Sequence, residues 1–189
     1  GLPLGVTLAV TGKGGIRENK VVYRILDVIS NVIRSIPFLI LLILIIPLTR
    51  FLVGKSYGSS ATIVPLVIAA APFIAHMVES SLQEVDEGVI EAAKSMGAGT
   101  WTIIFRVLLV EARTSLIVGV TIALGTILGY SAMAGVVGGG GLGDIAIRYG
   151  YYRYQTDIMV VTIVILVLIV QVLQALGMML SKKLDRRNK

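Results

Sequence analysis

The sequence predicts an all-α fold, a polytopic bundle of transmembrane helices forming a single domain over residues 1–189. Three observations carry this. Hydrophobic residues make up 56% of the chain and charged residues only 15%, far from the balance of an ordinary soluble domain. Mean hydropathy is +0.89. Apolar runs of membrane length recur along the chain, and the basic residues gather in the polar stretches between them. A net charge of +6 distributed in this way reports membrane orientation rather than affinity for nucleic acid, so lipid, not nucleic acid, is the expected surrounding. The chain has no cysteine, which excludes a disulfide framework, an iron–sulfur centre and a thiolate zinc site. The single histidine, His76, cannot make a metal cluster alone, so no metal is expected.

The elements follow in order. The apolar run 1–10 is about half of the roughly 20 residues a spanning helix needs, and it lacks the basic start and cleavage site of a signal peptide. It reads as the tail of an incomplete first transmembrane helix, in a chain that is a fragment of a slightly longer protein. The polar stretch 11–31 follows, and apolar residues at helical spacing over 21–33 predict a helix leading into the next span. That span is 36–53. Pro37 is tolerated near its start, whereas Pro47 should kink or end it. After a turn at 54–60, the span 61–78 contains Pro65 and Pro72, and a polar segment occupies 79–113. A small-residue-rich span covers 114–137, a glycine cluster 138–143 and a Tyr-rich loop 144–157. The last and most uniformly apolar span, 158–180, ends in a basic tail of Lys182, Lys183, Arg186, Arg187 and Lys189.

Orientation follows from charge. Alternating spans place Lys13, Arg17, Lys20, Arg24, Arg34, Lys94, Arg106, Arg113 and the tail on one side. Only Arg50, Lys55, Arg148 and Arg153 fall on the other. The positive-inside rule makes the first side cytoplasmic, and with it the segment 79–113 and the C-terminus. Tyr149, Tyr151, Tyr152 and Tyr154 then lie at the outer interface, where amphipathic rings are favoured.

The cytoplasmic segment reads as two short helices. Residues 84–96 carry Val85, Val89, Ala92, Ala93 and Met96 on one stripe and acids on the other. Gly97-Ala98-Gly99-Thr100 breaks this helix, and Thr100 can cap a second one beginning at Trp101. Small side chains at Ala92, Ala93, Gly97 and Ala98 let a partner's backbone approach closely. The alternative, a helix lying on lipid, suits Trp101, Ile104 and Phe105 better than an acid-rich stretch.

Other motifs are weaker. Gly138, Gly140 and Gly143 fit G-x-G-x-x-G, but a transmembrane helix precedes them where a dinucleotide site needs a strand, so a turn at the outer mouth is expected. Gly12-Lys13-Gly14 lacks the rest of a phosphate loop. Gly125 and Gly129 form a G-x-x-x-G ridge for helix packing, within the subunit or across a dimer axis. Tyr130, Ser131 and Met133 are candidates for a pathway or gate, with core packing as the plain alternative for Met133. Gln171 and Gln174 share a face of the last span, as amides bonding neighbouring helices do. No span carries a central Asp, Glu, Lys or Arg of the kind ion-coupled carriers keep, so energy is expected from outside the membrane.

Glu91-Ala92-Ala93, followed after three residues by Gly97 and then by Val107 and Leu109, resembles the coupling-loop signature of type I ABC importer permeases. Val110 departs from it, standing where the signature has proline, which straightens the exit into the next helix. Arg34-Ser35-Ile36-Pro37-Phe38, Ala70-Ala71-Pro72-Phe73-Ile74-Ala75, Gly129-Tyr130-Ser131-Ala132-Met133 and Gly139-Gly140-Gly141-Leu142-Gly143 are similar to the methionine-importer branch. The resemblance implies a five-span permease core in the cytoplasmic (inner) membrane of a prokaryote. It further implies two copies of this chain on two copies of a separate ABC ATPase, with Glu91, Ala92, Ala93 and Gly97 as the coupling residues. ATP and magnesium would belong to that ATPase, leaving this chain without a cofactor, and an extracytoplasmic binding protein would deliver substrate. A permease for another amino acid or small organic solute, and a self-sufficient ion-coupled carrier, are the competing readings.

Overall fold

The computed structural model describes residues 1–184; Arg186, Arg187 and Lys189 of the basic tail lie outside the described residues. Helix α1 covers Leu2–Thr11, with Pro3 in its first turn, where a missing N–H costs nothing. Helix α2, Lys20–Ser35, is strongly amphipathic, but its apolar face (Val21, Ile25, Val28, Val32) is exposed. It does not run into the next span. Pro37 disfavours helical backbone in the residue before it, and α3 starts afresh at Phe38.

The span read at 36–53 is two helices, α3 (Phe38–Leu44) and α4 (Ile46–Val53). The break falls at Ile45, because Pro47 has no N–H to donate and its ring crowds the carbonyl one turn back. Gly54, at φ 75°, closes α4 in the left-handed conformation. Helix α5, Ser59–Gln83, runs on through both Pro65 and Pro72. Next come α6 (Glu87–Ser95) and a rod, α7, built of Thr100–Thr102, the π-helical Ile103–Leu108 and Leu109–Glu111. Helix α8 is Arg113–Ala134, ending in a 3₁₀ turn. The stretch expected as a Tyr-rich loop is largely helical: α9, Gly141–Ile145, passes into a π-helical Ala146–Tyr151. An Arg148–Asp144 ion pair at 2.9 Å, one turn apart, supports it. Helix α10 is Thr156–Leu184.

Among the described residues, three helices are long and apolar enough to cross a membrane: α5, α8 with its 3₁₀ extension, and α10. A bent pair, α2 with α3, meets at 103° and has the length and composition of a fourth span when taken together. The other two spans read from the sequence, α1 and the α3–α4 pair, are short.

The chain divides into two compact units, one of Gly1–Arg34, Ala71–Thr121 and Gly177–Lys189, the other of Ser35–Ala70 and Ile122–Leu176. In the first, α1 lies so close on α5 that a side chain at Gly5 would meet the Ala75 carbonyl and Val78. Val78, Leu82, Val85, Ala93, Ile103, Leu108 and Ala112 form its buried core. Polar ties join its helices: Ser115 donates to Ser81 at 3.0 Å, and Arg113 donates to the Leu184 carbonyl at 2.9 Å. In the second unit, glycines bring backbones together: Gly143 against Ala132, Gly139 against Ala134 and Thr62, Gly150 against Met159. The glycine cluster thus serves close backbone packing after a helix, with left-handed turns at Gly138, Gly140 and Gly141.

Candidate functional site

The segment between α5 and α8 is the first candidate. Asp86 caps α6 by accepting from the Gly88 N–H at 2.7 Å, with Glu87 in the first turn and Lys94 in the last, as the helix dipole favours. At the other end Gly97 N–H donates to Lys94 O at 2.9 Å, and Ala98 N–H donates to Ala93 O at 3.0 Å. These two bonds make a Schellman motif, which requires the left-handed backbone that Gly97 adopts at φ 80°. Open space surrounds Gly97, so the glycine is needed for conformation, not for room.

The stripe read from the sequence does not share one face. Val85 and Ala93 are buried, whereas Val89, Ala92 and Met96 are exposed. The inward face is set instead by Ile90, Ala93 and Ala98, which pack on the core shared with α5 and α7. Thr100 does not cap the second helix: Gly99 holds the cap position without a side-chain hydrogen bond, and Thr100 already lies inside the helix. Glu91, Ala92, Met96 and Gly97 therefore form an exposed edge on a helix whose other face is locked into the membrane helices' core.

A cluster that the sequence reading missed lies on α5 and α2. Glu79, on α5, is only 5% exposed. A carboxylate can only accept, so His76 donates from Nδ1 to Glu79 Oε2 at 3.0 Å, and Gln83 donates to Oε1 at 3.4 Å. Tyr23, on α2, also bonds to Glu79; burial and this carboxylate push its phenol up to about 12. The other ring nitrogen of His76 stands 3.9 Å from Asp27, an ion-pair distance too long for a hydrogen bond. The sequence places Glu79 at the start of a polar segment; the available signal is His76 three positions earlier, on the same helical face.

The pathway candidates lie on α8. Tyr130 is half-buried and stacks on Phe38 with ring centroids 4.7 Å apart, while Ser131 and Met133 are exposed. Gly125 and Gly129 differ. A side chain at Gly125 would stand 3.3 Å from the Gln174 amide, whereas Gly129 faces open space. Gln171 is exposed. Among the described residues, no group of three or more His, Cys, Asp or Glu could hold a metal ion.

Comparison with known proteins now adds to this geometry. The family model of the binding-protein-dependent transport system inner membrane component matches residues 1–189. The chain belongs to this family, that of the type I ABC importer permeases. It is 51% identical over 187 residues to the probable D-methionine transport system permease protein MetI of Vibrio cholerae, covering 99% of this chain and 83% of that one. It is 46% identical over 180 residues to the methionine import system permease protein MetP of Bacillus subtilis, covering 95% and 81%. Among solved structures, the inward-facing MetNI methionine ABC transporter superposes with a TM-score of 0.96 at 48% identity, covering 98% of this chain and 86% of the matched one. An amino acid ABC transporter at 20% identity and a TM-score of 0.75 shares the fold. The all-helical permease fold and the family expected from the sequence are those found, and the chain is a multi-pass membrane component.

Proposed function

We propose that this chain is the permease subunit of an ATP-driven importer that moves methionine across the cytoplasmic membrane of a prokaryote. Two copies work with two copies of a separate ATPase that holds ATP and magnesium, and an extracytoplasmic binding protein supplies the substrate. The whole chain acts as one permease domain, with residues 79–113 as its coupling segment and the C-terminus in the cytoplasm.

The observation that carries this reading is the two-faced build of α6. Glu91, Ala92 and Gly97 are exposed for docking, while Ala93 and Ile90 anchor the same helix to α5 and α7. A push on the outer edge is then transmitted as rigid-body motion of packed helices rather than absorbed by a loop. Identity near one half to methionine permeases over almost the whole chain supports the cargo. Tyr130, Ser131 and Met133 are proposed to line or gate the pathway, and Gly125 and Gly129 to serve helix packing.

The test is uptake of labelled methionine into proteoliposomes holding the permease and its ATPase, with the binding protein and ATP supplied. Ala92→Trp and Gly97→Asp, both at exposed positions, are expected to lower uptake at least about tenfold, while the isolated ATPase subunit keeps its activity. Unchanged uptake in both variants would sink the coupling role. Failure of unlabelled methionine to compete would sink the cargo.

A further inference from the structure

A groove of about 510 Å³ opens on the first unit, between α1 and α7. Its walls are apolar: Leu2, Val6 and Val10 on one side, Ile104, Phe105 and Leu109 on the other. Trp101 and Phe105 stack with centroids 5.9 Å apart, yet they remain 72% and 59% exposed. An aromatic pair left this open is unusual in a packed helix crossing and common at a membrane–water interface. Arg17 also lines the groove. Its backbone N–H donates to the Val10 carbonyl at 3.1 Å, which pins it at the C-terminal end of α1. Among the described residues the Arg17 guanidinium joins no ion pair, and the side chain is exposed.

We infer that this groove is a binding site for an anionic phospholipid, with an acyl chain along the α1–α7 walls and the headgroup phosphate on Arg17. Three features favour this occupant. The walls belong to an apolar helix of a membrane protein and to an aromatic-bearing rod, so hydrocarbon is the solvent at hand. The one charged lining residue is a cation with a planar fork matched to phosphate. It stands in the basic stretch with Lys13 and Lys20, on the side the charge rule makes cytoplasmic, where anionic headgroups bind basic pockets between helices. The groove takes no residue from the exposed edge of α6, although α7 belongs to the same 79–113 segment. A volume of about 510 Å³ falls within the roughly 300–1,000 Å³ common for small-molecule sites.

Trp101 is the only tryptophan of the chain, which makes the site readable. The assembled, delipidated transporter is titrated in detergent with phosphatidylglycerol carrying dibrominated acyl chains. The emission due to Trp101 is taken as the difference between wild type and Trp101→Phe, so that tryptophans of other subunits cancel. Saturable quenching is expected, with phosphatidylcholine of the same chains binding about fivefold more weakly. Arg17→Gln should weaken phosphatidylglycerol binding to the same degree, and Val6→Phe, which fills the groove while leaving Arg17 in place, should abolish it. Quenching that does not saturate, or that is equal for the two lipids and unchanged in both variants, overturns the proposal. So does efficient cross-linking in native membranes of a Val6→Cys variant to a polypeptide, which would show that protein fills the groove.

Discussion

Helices α5 and α10 both have the length and composition to cross a membrane, yet they are built in opposite ways. The apolar window of α10 has the higher mean hydropathy, 2.8 against 2.0, but only 6% of it is buried, against 44% in α5. In a soluble protein the more apolar helix would be the more buried. Here the order is inverted, because lipid tails are as apolar as leucine and give no reason to hide it. What buries α5 is small side chains. Ala69, Ala70 and Ala75 are all buried, and Ala75 lies where α1 approaches at Gly5. Helix α10 comes close to its neighbours at a few places, among them Gln174, Gly177 and Ser181, where its sequence turns small or polar.

The sharpest way to break this comparison is to enlarge one residue on each helix. Ala75→Leu has no free volume to enter and is expected to cost about 3 kcal/mol through overpacking. Leu168→Phe on α10, where Leu168 is 58% exposed, should stay within about 0.5 kcal/mol. Thermal denaturation of the detergent-solubilised protein reads both. Equal losses would mean that hydropathy, rather than side-chain size, ranks packing in this protein.

The second difference is polar. Near its end α5 carries the His76–Glu79 pair, with Tyr23 bonded to the same carboxylate, and α10 has no counterpart among the described residues. Glu79→Ala leaves His76 and Tyr23 without their buried acceptor and is expected to cost about 2 kcal/mol. Glu79→Gln, which keeps one acceptor oxygen for the imidazole, should recover roughly half of that in the same melting measurement. If Glu79→Ala melts like wild type, the cluster is an ornament of the fold and not one of its ties.

These contrasts explain how far the sequence could be read. Composition and charge disposition revealed the membrane helices and the class of fold, because a membrane helix must satisfy its backbone internally and keep its cations near the ends. The exposed helix before Gly97 was also legible, since a small-residue patch and a glycine stop are local signals, whereas its start at Asp86 was not. What was not legible depends on partners distant in sequence. The stripe from Val85 to Met96 divides between two environments because α5 and α7 cover only the side holding Ala93. Glu79 looked like the start of a polar segment, since nothing local shows that Tyr23 and His76 close over it. The stretch 144–157 looked like a loop because tyrosines and glycines are poor helix formers, and tertiary packing of Gly150 on Met159 overrides that preference.

The smallest expected effect sharpens the comparison from the side of α10. A side chain at Gly177 would collide with the Thr121 hydroxyl and methyl, one of the few places where α10 is pressed against α8. Thr121 cannot easily turn away, because its hydroxyl donates to the Ile117 carbonyl at 2.7 Å. Gly177→Ala is therefore expected to cost about 1 kcal/mol. Truncating the neighbour with Thr121→Ala in the same chain should recover part of that loss, a coupling that two independent sites would not show. If the two substitutions are additive, the Gly177–Thr121 approach does not locate α10 against α8. If they couple, a helix that is almost wholly exposed is still located by one glycine, and the rule that small residues rather than apolar ones place these helices extends to the helix that seemed least subject to it.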